Sequence, residues 1–166
     1  MNDSIPDIRK ILYATDLSEN ARHAFGYAVA LAYRLNARII VLHVIEQLSE
    51  FTWSLVEDVV GKDRMAELKK GKAFQAAAMI QGRLEGFCRD TQDRFPDCPF
   101  ILEGIFVTTG HPVDQILGFA DETDADMIIM GSRGQSLLAD VTMGSTSRRV
   151  LRRSKKPVLI VRLPES

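Results

Sequence analysis

The chain has 166 residues, enough for one domain that buries about two-thirds of its unfolded surface and holds a core without staples. Lys and Arg total 21 against 22 Asp and Glu, a net charge of −1, which excludes an overall electrostatic pull toward nucleic acid or anionic membrane. Hydrophobic residues at 46% and charged residues at 26% are those of a globular protein, and two cysteines, Cys88 and Cys98, are too few for a disulfide framework. Reduced thiols in the cytoplasm are the better reading. The segment Met1–Asp7 lacks the charged-then-apolar order of a signal peptide. No apolar run approaches the roughly 20 residues that span a bilayer.

In chain order, Ile11-Leu12-Tyr13-Ala14 is a short apolar run that stops at Thr15-Asp16, a buried strand ending in a polar loop. Ser18 is placed to cap the next helix, with Glu19 against its positive end. Ala21, Ala24, Phe25, Ala28, Val29, Ala32 and Leu35 recur at helical spacing as one apolar stripe, and Asn36 ends it. Residues 38–45 form a second strand, apolar enough to be covered on both faces. Residues 46–60 show no clean period and are the one candidate mobile segment. From Asp63 to Arg94 the helical pattern returns, with Met65, Leu68, Ala76, Met79, Ile80, Leu84, Phe87 and Cys88 along one side. Residues 100–107 form a third strand. Gly110-His111-Pro112 opens a helix, with Pro112 suited to its first turn and Val113, Ile116, Leu117 and Ala120 inward. Residues 126–130 form a fourth strand, Ser145–Arg153 a helix broken at Lys156-Pro157, and Val158–Val161 a fifth strand before Pro164. This alternation specifies a doubly wound parallel sheet with helices on both faces, in one domain over residues 1–166. Its ligands belong outside the carboxyl ends of the strands, where the strand order reverses.

The chemistry concentrates after the fourth strand. Gly131 and Gly134 lie three apart, and nine residues later Gly144-Ser145-Thr146 opens a helix. Glycine lets backbone N–H groups approach a ligand, and such a turn makes an anion-binding concavity. The free N–H groups and dipole at a helix start attract phosphate, and the Ser145 and Thr146 hydroxyls add donors. A Walker-type loop would end in Gly-Lys-Ser/Thr, and Gly144-Ser145 lacks the lysine, so fast P-loop hydrolysis is not expected. The dinucleotide pattern G-x-G-x-x-G is absent. Asp16 reads better as a turn cap or ribose holder than as a catalytic base, and no catalytic residue is assigned. His43 reads as a satisfied core histidine, His111 as a phosphate contact or a helix cap, and His23 lies on a helix flank. No metal-ligand spacing occurs. Arg148, Arg149, Arg152, Arg153, Lys155 and Lys156 suit a helix C-terminus and a solvated face, and the interleaved aromatics of a single-strand binder are missing. Neither nucleic acid nor membrane is expected as a partner.

With these residues in view, the chain resembles the universal stress proteins of the UspA superfamily. Lys10–Ser18 resembles the family's first strand and acidic loop, Leu42-His43-Val44 its second strand end, Gly110-His111-Pro112 its glycine–proline step, and Lys155–Val161 its terminal strand. Ile128–Gly134 with Gly144-Ser145-Thr146 matches the family's ATP-binding signature, G-x2-G-x9-G-[S/T], without a gap. Ala14 departs from the proline of many relatives, which loosens the loop without removing a donor. The resemblance implies the strand order 3-2-1-4-5. It implies ATP, or AMP or ADP, with Ala14, Thr15 and Asp16 at the nucleoside end and Val44 against adenine. Met130, Gly131, Ser132, Arg133, Gly134 and Gln135 would wrap the ribose and phosphates, and Gly144, Ser145, Thr146 and Ser147 would hold the tail. Mg²⁺ or Mn²⁺ would arrive only through the phosphates. It further implies a homodimer through Val158, Leu159, Ile160 and Val161, and a cytoplasmic, nucleotide-dependent stress-response regulator acting on a protein partner that the sequence does not name. A slow ATPase or phosphotransfer enzyme, and a dimeric module that binds no nucleotide, are the alternatives.

Overall fold

The computed structural model describes residues 5–46, 62–134 and 143–162, the side chains of 62–74 excepted. The 46–60 segment beyond Glu46, the side chains of Met65 and Leu68, Gln135 and Pro164 lie outside the described residues. Five strands alternate with four described helices: β1 (Lys10–Thr15), α1 (Glu19–Leu35), β2 (Arg38–Glu46), α2 (Lys62–Arg94), β3 (Ile101–Gly110), α3 (Pro112–Glu122), β4 (Met127–Gly131), α4 (Ser145–Arg153) and β5 (Val158–Val161). The sheet is parallel throughout, in the order β3-β2-β1-β4-β5. Among the described residues no helix is long and apolar enough to cross a membrane.

The alternation of side chains along β1 divides the core. Ile11 and Tyr13 pack with Ala24, Phe25 and Ala28 of α1 and with Leu84 and Cys88 of α2. Leu12 and Ala14 face the other way, onto Val113, Ile116 and Ala120 of α3 and Val150 of α4. Each face of the sheet therefore carries two of these helices, as a doubly wound sheet requires. Phe25 is the centre of the first layer, with ring centroids 4.9 Å from Tyr13, 4.9 Å from Phe87 and 5.6 Å from Phe100.

The ends of α1 follow the sequence. Ser18 Oγ accepts from Ala21 N at 3.2 Å, and Asn36 closes the helix in the left-handed conformation at φ 52°. Two expected core residues face water instead. Leu35 is 42% exposed because it sits in the last turn, beyond the sheet's cover, and Met79 is 65% exposed. On α2 the stripe that meets the sheet runs through Ile80, Leu84, Phe87 and Cys88, at intervals of four, three and one, and Met79 falls off it. β3 runs to Gly110, past the expected end at residue 107, because it stays paired with β2 as far as Glu46. Gly110 holds φ +148°, a conformation open to glycine, which turns the chain into α3.

Two buried protons make the core sensitive to alkali. Burial pushes the Cys88 thiol from its ordinary 9.0 up to about 11. Burial also raises the Tyr13 phenol, whose OH donates to the Ala21 carbonyl at 2.5 Å. The folded chain holds both protons more tightly than the unfolded chain. Stability should thus be full below the ordinary thiol value of 9.0 and fall as pH rises toward about 11. Urea titrations at stepped pH should show this slope, and Cys88→Ala should flatten its lower part. Phe25→Ala should cost about 3–5 kcal/mol at neutral pH, read as a lower urea midpoint.

Candidate functional site

β1 lies between β2 and β4, and the chain leaves β1 toward β2 but leaves β4 toward β5. The order therefore reverses between β1 and β4, and their carboxyl ends face a crevice. A cavity of about 490 Å³ occupies this place. That volume is within the range of small-ligand sites.

On one side the cavity is bounded by the β1–α1 turn, which its own side chains pre-form. Thr15 Oγ1 accepts from Leu17 N at 3.1 Å, and Asp16 Oδ1 accepts from Ser18 N at 3.0 Å. These bonds hold Leu17 at φ 65°, a conformation that costs a non-glycine residue about 1–3 kcal/mol. The turn is thus fixed before any ligand arrives.

On the other side are the glycine loop and the start of α4. Ser132 N donates to Val161 O at 2.7 Å, and Gly144 N donates to Ser132 O at 2.7 Å. Ser147 Oγ donates to Gly131 O at 2.9 Å, with Ser132 O at 3.3 Å. Ser132, expected on the ligand side, is 2% exposed and does not line the cavity, because this knot turns it into the fold. Ser147 does line it, but its hydroxyl is committed to the loop. The two sides meet closely: a Cβ on Gly134 would lie 2.5 Å from Asp16 Oδ2. One on Gly131 would lie 3.2 Å from the backbone of Asn20 in the first turn of α1.

The two helix starts near the cavity differ. α1 has its side-chain cap in Ser18. α4 has Gly144 at the cap position, with no side-chain cap bond and no acidic residue in its first turn. Among the described residues no side chain caps its first N–H groups, and Gly144, Ser145, Thr146 and Ser147 all line the cavity.

The structure thus gathers Ala14, Thr15, Asp16, Val44, Met130, Gly131, Arg133, Gly134, Gly144, Ser145, Thr146 and Ser147 around one cavity. Gln135 lies outside the described residues. Sequence reasoning missed Ala21, Leu42, His43, Ile45, Glu46, Ile80, Pro112 and Ile116 as lining residues. The β2 residues were within reach, since they stand at a strand's carboxyl end. Ile80 and Ile116 arrive through helix packing, which leaves no local signal. His111 occupies the cap position of α3 without a side-chain cap bond, and its Nδ1 lies 3.3 Å from Asp114 Oδ2. Arg153 Nη1 also meets Asp114, at 2.9 Å. Among the described residues no group of three His, Cys, Asp or Glu side chains is arranged to hold a metal ion.

The family model described as "Universal stress protein family" matches residues 7–162. The chain is 31% identical to universal stress protein MJ0577 of Methanocaldococcus jannaschii over 95% of this chain and 97% of that one. A solved structure of MJ0577 superposes with a TM-score of 0.70 at 29% identity, covering 97% of this chain and all of that one. A universal stress protein solved in complex with cAMP gives 0.60 at 25% identity, over 95% of this chain and 98% of that one. With the fold, strand order and nearly the whole length matched, the chain belongs to the universal stress protein family.

Proposed function

We propose that the protein is an adenine-nucleotide-binding regulator of the cytoplasm, taking ATP first and AMP or ADP as alternatives, and acting in the stress response as a homodimer. The observation that carries this reading is the N-terminus of α4, which has no side-chain cap among the described residues and lines the same cavity as Asp16. The phosphate tail would accept from the N–H groups of Ser145, Thr146 and Ser147 and from the hydroxyls of Ser145 and Thr146, with Arg133 adding charge. Asp16 would hold the ribose hydroxyls, beside the Ala14-Thr15 backbone and Met130. Val44 and the apolar residues at the end of β2 would take the base. A relative in complex with cAMP supports an adenine nucleotide as the ligand class. Mg²⁺ or Mn²⁺ would be held by the phosphates. Slow hydrolysis is the alternative that turnover by the purified protein addresses, since the loop has donors for a triphosphate but no P-loop lysine.

The glycines provide the test. Gly144 has φ −63° and ψ 156°, open to any residue, and a Cβ there would find its nearest neighbour at 3.4 Å. Gly144→Ala should therefore cost at most about 1 kcal/mol of stability. It should nevertheless weaken ATP binding at least tenfold by calorimetry, because the methyl group would stand between the helix start and the phosphates. Unchanged affinity would refute the placement of the tail. Gly134→Val should displace the Asp16 carboxylate and reduce affinity for ATP and AMP alike.

Among the described residues β5 has one strand neighbour, β4, and stands at the edge of the sheet. Open apolar edges invite pairing. Sedimentation should find a particle of twice the 18.6 kDa chain mass at micromolar concentration. A monomer at every concentration would rule the edge out as an interface.

A further inference from the structure

Away from the cavity, charge gathers on the outer side of α4. Residues 148–156 hold six of the chain's 21 Lys and Arg, and no acid. Arg148, Arg149, Arg152 and Arg153 are exposed, while Ser147 and Val150 take the buried side. Cations are favourable at a helix C-terminus, which accounts for Arg152 and Arg153. It does not account for Arg148 and Arg149, which stand nearer the positive end and four residues from Arg152 and Arg153, where like charges repel. Neither lines the cavity. Among the described residues, Arg153 alone of this group has an acidic partner, Asp114. Beyond the helix, a cleft of about 160 Å³ is lined by Leu117, Ala120 and Asp121 of α3 and by Arg153, Lys155 and Lys156. That is room for one side chain. Ser154 Oγ fixes the turn beside it, donating to Lys156 O at 2.8 Å and accepting from Lys156 N at 3.1 Å. Leu151 stands among the arginines at 48% exposure.

We propose that this face docks an acidic, amphipathic helical segment of another protein. Charge complementarity carries the assignment. The arginines pair at i, i+4, Arg148 with Arg152 and Arg149 with Arg153, which matches glutamates at the same spacing on a partner helix. The cleft has apolar walls in Leu117 and Ala120 and an acid in Asp121, so it takes an apolar side chain of the segment while the arginines take its carboxylates. Nucleic acid fits less well, because no aromatic residue follows Phe119 and nothing on α4 or β5 can stack a base. A membrane also fits less well, since Leu151 is the one large exposed apolar residue of α4 and gives it no face to insert. The proposal does not depend on the nucleotide reading above.

Fluorescence anisotropy on the full chain tests this, with a dye-labelled amphipathic peptide that carries glutamates at i, i+4 and one leucine stripe. The peptide should bind in the micromolar range at about 50 mM salt and weaken at least tenfold by about 300 mM. Its glutamine counterpart should not bind. Arg148→Gln, Arg149→Gln and Arg152→Gln together should weaken binding roughly tenfold, the worth of three exposed ion pairs. The same number of charges removed from α2, by Arg83→Gln, Arg89→Gln and Arg94→Gln, should leave it unchanged. Should the α4 variant not fold, Lys155→Gln with Lys156→Gln, outside the helix, gives the comparison. Absence of binding at low salt would overturn the proposal, as would equal loss in the α2 variant, which would make the attraction a matter of net charge. Tighter binding of oligouridine RNA or of phosphatidylserine vesicles, lost in the α4 variant, would overturn it too and give the face to phosphate.

Discussion

β1 is covered on both faces and paired on both edges, and the rest of the molecule is arranged around that constraint. Ile11, Leu12 and Tyr13 are fully buried, between β2 on one side and β4 on the other. A strand so placed has no face for polar side chains, so its polarity is deferred to its end, where Thr15 and Asp16 emerge. Because parallel strands all point one way, β4 and β2 deliver their own ends to the same rim. The site is a consequence of where a buried parallel strand must stop being apolar.

At that rim two helices begin, and they treat their free N–H groups differently. In α1 a serine satisfies them from within, backed by Asp16 through Ser18. In α4 the cap is a glycine, and the cations Arg148 and Arg149 follow closely instead of acids. Arginine near a positive helix end is unfavourable in isolation. The arrangement costs the free protein some stability and leaves an electropositive helix start beside a cavity, which is what a polyanion would use.

The architecture was legible because it rests on local patterns. Apolar runs gave the strands, and Ser18, Asn36 and Pro112 marked helix limits that the structure keeps. The polar lining of the cavity was named from loop chemistry and family resemblance, and the structure brings Asp16, Gly131, Arg133, Gly134 and Gly144 together around it, though not Ser132. What was not legible is set by packing across the chain. Met79 falls inside a helical stripe but turns away from the sheet, since α2 meets β3 along a narrow line. Ile80 and Ile116 come to one cavity from helices on opposite faces. His43 satisfied the description of a core histidine, with Nδ1 bonded inside to the Thr15 carbonyl, and still lines the cavity.

The glycines of the loop show why one short motif can carry both fold and function. Gly131 is required by the close approach of α1, whose Asn20 backbone leaves no room for a Cβ without a shift. A Cβ on Gly134 would press on a side chain, the Asp16 carboxylate of the turn on the far side of the cavity, which would have to shift. Gly144 is required by neither, having ordinary dihedral angles and an ordinary distance to its nearest neighbour. Among the described residues nothing explains the absence of a side chain there, although a serine or aspartate would cap the helix better. Gly144 lines the cavity, so on the phosphate placement proposed above the demand for glycine there would come from the ligand.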